Sequence, residues 1–204
     1  MNCAHSSAVT RNRCEAGYSG TITSSASRCF VCAVGKYSDD LGPDCEACPD
    51  DSTTNGTASE VVTDCLCALG HTGTISNPNS NCTACEAGQY KDVVGDADCV
   101  ACPAASGTNG TGGTAADECL CDPGHFGSIE GPTDSCNLCP AGTYSEAAGA
   151  ANCTGCPRNS TTLADGSSAV SNCLCDPGAP SPPPHLLLVP RRSPPSLLAE
   201  VAGS

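Results

Sequence analysis

The 204-residue chain contains no tryptophan, two phenylalanines and four tyrosines. A domain of this length normally buries a continuous core of Leu, Ile, Val and aromatic side chains. Here the 39 % hydrophobic content is carried largely by alanine and cysteine, which excludes a conventional core. Positive charge is also scarce: 8 Lys and Arg face 22 Asp and Glu, a formal net charge of −14. Such a field repels phosphate backbones and anionic lipid, so neither nucleic acid nor an acidic membrane surface is expected as a partner. A basic protein or calcium would be attracted, but the plain consequence of the charge is solubility. No run of about 18 apolar residues is present to span a bilayer; Leu186-Leu187-Leu188-Val189 is too short. Met1-Asn2-Cys3 opens without the basic start and apolar stretch of a secretory leader. Since the remainder reads as secreted, the expectation is a fragment of a longer gene product.

What the chain has in quantity is cysteine, 20 residues in all. Small modules that cannot bury enough apolar surface are held by covalent bridges or by metal. The cysteines repeat in one frame, with Cys14, Cys67, Cys121 and Cys175 at its unit boundaries. Each unit runs from a cysteine through a glycine-rich turn, such as Cys121-Asp122-Pro123-Gly124-His125-Phe126-Gly127, to a Cys-x-x-Cys pair. A Gly-x-Tyr, a second Cys-x-x-Cys-Pro, a polar Ser/Thr/Asn/Gly stretch and a closing Cys-Leu follow. We therefore divide the chain into an irregular segment 1–13, repeats 14–66, 67–120 and 121–175, and a proline-rich tail 176–204. The tail holds half of all prolines and no cysteine, and is expected to be a disordered linker or translated non-coding sequence. Within the units, Gly35, Gly88 and Gly142 are placed for tight turns, and Gly42, Gly95 and Gly149 where the chain turns back. Tyr37, Tyr90 and Tyr144 can each cover a bridge, and Ile22, Ile75 and Ile129 add one aliphatic per unit.

Two chemistries compete for these cysteines. Paired Cys-x-x-Cys motifs, as at Cys29/Cys32 and Cys45/Cys48, have the ligand spacing of a zinc ribbon. Against zinc, each unit spends further cysteines on Cys-Leu-Cys, and the surroundings are acidic and rich in N-glycosylation acceptors. Five Asn-x-Ser/Thr sites occur, at Asn55, Asn81, Asn109, Asn152 and Asn159. A thioredoxin-like redox site would need a thiolate at a helix N-terminus, for which the Ala-, Gly- and Pro-rich surroundings offer no scaffold. The reading adopted is disulfides, with no metal and no cofactor. Six cysteines per unit permit fifteen pairings. A local arrangement joins Cys14–Cys29, Cys32–Cys45, Cys48–Cys65, Cys67–Cys82, Cys85–Cys99, Cys102–Cys119, Cys121–Cys136, Cys139–Cys153 and Cys156–Cys173. A crossed arrangement, with Cys102–Cys121 and Cys119–Cys136, remains open. Either closes loops of about 15 residues, worth ~3 kcal/mol per bridge in the chain-entropy account.

The string Cys139-Pro140-Ala141-Gly142-Thr143-Tyr144-Ser145, followed by Gly149, Cys153 and Cys156-Pro157, resembles the cysteine-rich repeat of ephrin receptor ectodomains. Its counterparts are Cys85-Glu86-Ala87-Gly88-Gln89-Tyr90 and Cys32-Ala33-Val34-Gly35-Lys36-Tyr37. That repeat is similar in look to tumour necrosis factor receptor and growth-factor-receptor cysteine-rich modules. The resemblance covers roughly residues 14–175 and implies an elongated, disulfide-rich array of short β-hairpins and irregular loops with little helix. It imports no kinase, because the Gly-rich loop with its lysine, His-Arg-Asp and Asp-Phe-Gly are all missing.

Other candidate sites carry little. His71 and His125 share a repeat position that is Tyr18 in the first unit, which favours packing over metal ligation. Asp39, Asp40, Asp96 and Asp98 match no EF-hand loop and are expected as solvated turn carboxylates. No arrangement of nucleophile and base has a recognisable context, so no catalytic residue is expected. The expected role is a structural spacer and interaction scaffold of a secreted or cell-surface protein, holding the loops 52–63, 106–117 and 160–171 for an unidentified protein ligand or for neighbouring repeats of a larger chain. The alternative is an intracellular zinc-binding repeat adaptor.

Overall fold

The computed structural model describes residues 9–10, 13–24, 26–39 and 43–178. Cys3, Asp40, Gly42 and the tail from 179 onward lie outside the described residues. The described chain is built from ten antiparallel two-stranded hairpins, with no α-helix among the described residues. The first pairs β1 (Val9–Thr10) with β2 (Arg13–Cys14). The first repeat then pairs β3 (Tyr18–Ser19) with β4 (Phe30–Val31), β5 (Lys36–Tyr37) with β6 (Glu46–Ala47), and β7 (Ser52–Thr54) with β8 (Cys65–Cys67). The second pairs β9 (His71–Thr72) with β10 (Thr83–Ala84), β11 (Gln89–Tyr90) with β12 (Val100–Ala101), and β13 (Ser106–Gly107) with β14 (Leu120–Cys121). The third pairs β15 (His125–Phe126) with β16 (Asn137–Leu138), β17 (Thr143–Tyr144) with β18 (Thr154–Gly155), and β19 (Ser160–Thr161) with β20 (Leu174–Cys175). Single 3-10 turns at Val62–Asp64, Ala116–Glu118 and Val170–Asn172 lead into the last strand of each repeat.

Isolated two-stranded hairpins are marginal in water, so each of the nine repeat hairpins carries one disulfide. The bridges are Cys14–Cys29, Cys32–Cys45 and Cys48–Cys65 in the first repeat. They are Cys67–Cys82, Cys85–Cys99 and Cys102–Cys119 in the second, and Cys121–Cys136, Cys139–Cys153 and Cys156–Cys173 in the third. Sequence separations run from 13 to 17 residues. Cys175 is free and exposed.

The 54-residue unit resolves into three copies of one smaller motif: a half-cystine, a four-residue turn, a strand, a loop, and a second half-cystine at the returning strand. The nine turns are closed by bonds such as Tyr18 N–H to Glu15 O (3.1 Å), Gln89 N–H to Glu86 O (3.0 Å) and Ser160 N–H to Pro157 O (3.2 Å). The third turn residue always has positive φ. Six times it is glycine; in the last hairpin of each repeat it is Asp51, Ala105 or Asn159, at φ 57°, 58° and 60°.

The core sits across the repeat boundaries. Tyr37 of the first repeat is buried with Cys65, Cys67 and Ile75, and Cys48, Val62 and Cys82 pack around them. Tyr90, Cys119 and Ile129 form the corresponding cluster at the next boundary, with Cys102, Ala116 and Cys136 against it. The tyrosine of one repeat thus shares a buried cluster with the isoleucine of the next, rather than both serving one unit. Ile22 and Tyr144 are only half-buried.

Candidate interaction surface

Strand geometry decides what the cysteines can do. The two residues inside each Cys-x-x-Cys form a returning strand, β4, β6, β10, β12, β16 or β18. Side chains three apart in an extended segment point to opposite faces, so the two sulfurs enter different bridges: Cys29 joins Cys14 while Cys32 joins Cys45. Among the described residues no group of three or more His, Cys, Asp or Glu side chains is placed to hold a metal. In Cys65-Leu66-Cys67 the sulfurs are two apart and share a face, and both residues are buried. One bridges back to Cys48 and the other forward to Cys82, which makes this strand the covalent seam between repeats.

Backbone hydrogen bonds tie the three hairpins of a repeat together. In the second repeat, Gly70 N–H donates to Lys91 O (2.9 Å), Lys91 N–H to Gly113 O (2.9 Å), and Gly112 N–H to Cys85 O (2.7 Å). The third repeat repeats the pattern at Gly124 with Ser145 O, Ser145 with Ser167 O, and Gly166 with Cys139 O. A threonine at the same position of every repeat supports each third loop. Thr54 Oγ1 accepts from Gly35 N–H (3.0 Å) and donates to Gly56 O (2.7 Å). Thr108 does the same with Gly88 and Gly110, and Thr162 with Gly142 and Ala164. Its recurrence at one position in all three repeats was the available signal.

The polar stretches 52–63, 106–117 and 160–171 are therefore not free loops throughout: each starts in a strand, β7, β13 or β19, paired to the strand that closes its repeat, β8, β14 or β20. Their exposed portions carry Asn55 and Asn109 at the same repeat position, where the third repeat has Leu163, 82 % exposed. Asn81, Asn152 and Asn159 are exposed as well.

Ionisable groups act within the scaffold. His71 Nε2 lies 3.5 Å from Asp51 Oδ2 of the preceding repeat, and its Nδ1 lies 3.0 Å from Leu69 O. His125 has Ala105 where His71 has Asp51, and its buried Nδ1 has no hydrogen-bond partner. Asp96 and Asp98 are exposed. Tyr37 Oη donates to Glu46 Oε2 at 2.8 Å. Burial first, and then this carboxylate, push the phenol up to about 12. Glu118 is held below the usual carboxylate range by hydrogen bonds from the Thr114 hydroxyl and amide. Lys91 is the unforeseen residue: its side chain is fully buried, with Nζ donating to the carbonyls of Cys67 (3.2 Å), Ala68 (3.3 Å), His71 (2.7 Å) and Gly95 (2.8 Å). Burial lowers its pKa and the nearby Asp96 opposes that shift. Ser38 and Ser145 occupy its position in the other repeats.

Comparison with known families gives one finding. The family described as "Tyrosine-protein kinase ephrin type A/B receptor-like" matches three times, over residues 17–65, 73–119 and 127–173. No curated protein matches the chain. The three matches fall within the three repeats and leave out Leu66 to Thr72 and Leu120 to Phe126. No catalytic domain is found, and among the described residues no helix is long and apolar enough to cross a membrane.

Proposed function

Because the chain belongs to the ephrin receptor-like family of cysteine-rich repeats, we propose that it is a non-catalytic extracellular scaffold, a spacer that holds exposed hairpin loops in fixed register for a protein partner. One observation carries this reading: each repeat hairpin has its own bridge, while backbone bonds and the Cys-Leu-Cys seams join it to its neighbours. Such a ladder resists bending without a large core, and it leaves sequence variation to exposed segments such as 55–57, 109–111 and 163–165. The functional units are repeats 14–66, 67–120 and 121–175. They share cores at their boundaries, so a single unit is incomplete without the next. Nine disulfides and an acidic, acceptor-rich surface support an oxidising, extracellular setting.

Thiol titration and metal analysis of natively secreted protein, with small-angle scattering, test the proposal. The expected result is reaction at no thiols other than Cys3 and Cys175, no bound zinc, and a rod-like scattering profile. Stoichiometric zinc with chelator-sensitive folding would replace it with an intracellular adaptor.

A further inference from the structure

We propose that the five N-glycosylation acceptors form two classes: Asn55 and Asn109 are modifiable in the folded chain, and Asn81, Asn152 and Asn159 only before their hairpins close. Bridge formation then sets which glycans the scaffold carries. This rests on the extracellular reading above. In the reaction, the asparagine amide nitrogen attacks the anomeric carbon of an oligosaccharide linked to a polyisoprenyl pyrophosphate. A C–N bond forms, the C–O bond to pyrophosphate breaks, the amide proton passes to a base, and the lipid pyrophosphate leaves. The acceptor and the hydroxyl two residues on must both enter the transferase, so the whole tripeptide has to come away from the fold.

Exposure does not separate the five, since every acceptor asparagine is exposed. What separates them is how the two following residues are held. Asn55-Gly56-Thr57 and Asn109-Gly110-Thr111 follow the strands β7 and β13 as exposed bends. Each is restrained by one threonine hydroxyl donating to the glycine carbonyl at 2.7 Å. Asn81 is followed by Cys82, bridged to Cys67, and by Thr83, paired with Thr72 in β10–β9. Asn152 is followed by Cys153, bridged to Cys139, and by Thr154, paired with Tyr144. Asn159 lies in the left-handed region at φ 60°, and its carbonyl accepts from Asp176 N–H at 2.9 Å. Its Ser160 donates to Pro157 O at 2.7 Å, and Thr161 is paired with Leu174. Releasing any of these three tripeptides breaks ladder bonds, and in two of them the central residue is itself a half-cystine.

The test is site occupancy, read by peptide mass spectrometry after enzymatic deglycosylation in heavy-oxygen water. The full chain is directed into the secretory pathway of eukaryotic cells by an added leader. Cys67→Ser blocks the first bridge of the second repeat while leaving Asn81-Cys82-Thr83 intact, and Cys139→Ser does the same for Asn152-Cys153-Thr154. The expected result is high occupancy at Asn55 and Asn109 in the unaltered chain and low occupancy at Asn81 and Asn152. Each variant should raise its own site several-fold without changing Asn109 in the same molecules. Whole-cell protein is analysed, so a retained variant is still counted. A brief reductant pulse on cells making the unaltered chain should raise Asn81 and Asn152 together. Equal occupancy at Asn81 and Asn109 in the unaltered chain, or no response to either treatment, overturns the two classes and leaves the extracellular reading standing. A chain unglycosylated at every acceptor, with its thiols free, overturns both.

Discussion

Tyr37 and Ile75 belong to different repeats and are buried in one cluster, over the seam formed by Cys65 and Cys67. Truncating Ile75 to alanine should therefore weaken both sides of the boundary. A buried Ile→Ala change costs about 2–5 kcal/mol where the site cannot collapse, and bridges on both flanks limit collapse here. Amide hydrogen exchange should show lost protection at Cys85, bonded to Gly70 O in the second repeat, and at Ser38, bonded to Ser59 O in the first. Ile22→Ala, at a half-buried position, should have less than half the effect. Loss confined to the second repeat would mean that the boundary core is not shared.

Gly70 supplies a second relation between hairpins. Its φ is +71°, and a Cβ there would collide with the backbone carbonyl of Gly112, in the third loop of the same repeat. Gly124 stands in the same relation to Gly166. Gly88 has φ +84° with open space around it, and Gly56 has neither constraint. Alanine should be nearly neutral at Gly56 and cost about 1–2 kcal/mol at Gly88 from left-handed strain alone. At Gly70 the backbone clash adds to that strain, and secreted yield should fall furthest. Equal losses at Gly70 and Gly88 would show that the turn tolerates separation from the third loop.

Much of this architecture is legible in the sequence because cysteine spacing and Gly-x-Tyr recur in a fixed frame. The hairpin class and the repeat family follow from those residues alone. The threefold motif within each unit is hidden, because its third turn uses Asp51, Ala105 or Asn159 where the other two use glycine. The clusters across boundaries are hidden for another reason: a frame aligns equivalent residues but does not say that Tyr37 is buried with Ile75 rather than with Ile22. Lys91 carries no signal at all. A lysine flanked by Asp92 and aligned with Ser38 and Ser145 reads as a surface residue.

Ala105 provides a stabilising test. Its φ of 58° costs an alanine roughly 1–2 kcal/mol, while glycine adds unfolded-state entropy worth about 0.4–1 kcal/mol. Ala105→Gly should then stabilise the third hairpin of the second repeat by about 0.5–1 kcal/mol. The reporter is the Asp122 amide, which donates to Ala105 O at 2.9 Å. Slower exchange there is the expected outcome, and faster exchange would place the entropy term above the strain.

Tyr37 makes the first boundary sensitive to alkali. Its phenol is pushed from 10.0 up to about 12, chiefly by burial and then by the Glu46 carboxylate. The folded state therefore holds its proton more tightly than the unfolded state does. This contribution to stability is complete below pH 10 and is lost as pH rises toward 12. Tyrosinate absorbance should show a late-titrating phenol that is lost in Tyr37→Phe, and Glu46→Gln should bring it down while keeping an acceptor for Oη. The absence of any late-titrating phenol in the folded chain would remove Tyr37 from the buried cluster.

Lys91 is best tested by two substitutions that lose different things. Methionine keeps most of the aliphatic volume but leaves the His71 and Gly95 carbonyls, now 2.7 and 2.8 Å from Nζ, without that donor. An abandoned buried acceptor costs about 1–3 kcal/mol. Serine loses more volume, yet it stands at this position in the first and third repeats. There the returning loop closes directly, through Gly20 N–H to Pro43 O at 2.7 Å and Gly127 N–H to Ala150 O at 3.0 Å. In the second repeat the equivalent pair is Gly73 and Asp96, and the links present are the Thr72 hydroxyl to Ala97 O at 3.1 Å and Gly95 N–H to Cys67 O at 2.9 Å. Lys91→Ser should let the loop settle onto Gly73, raising protection of that amide and costing less stability than Lys91→Met. If methionine is the milder change, packing of the lysine stem outweighs its hydrogen bonds, and the ammonium is not what holds this loop.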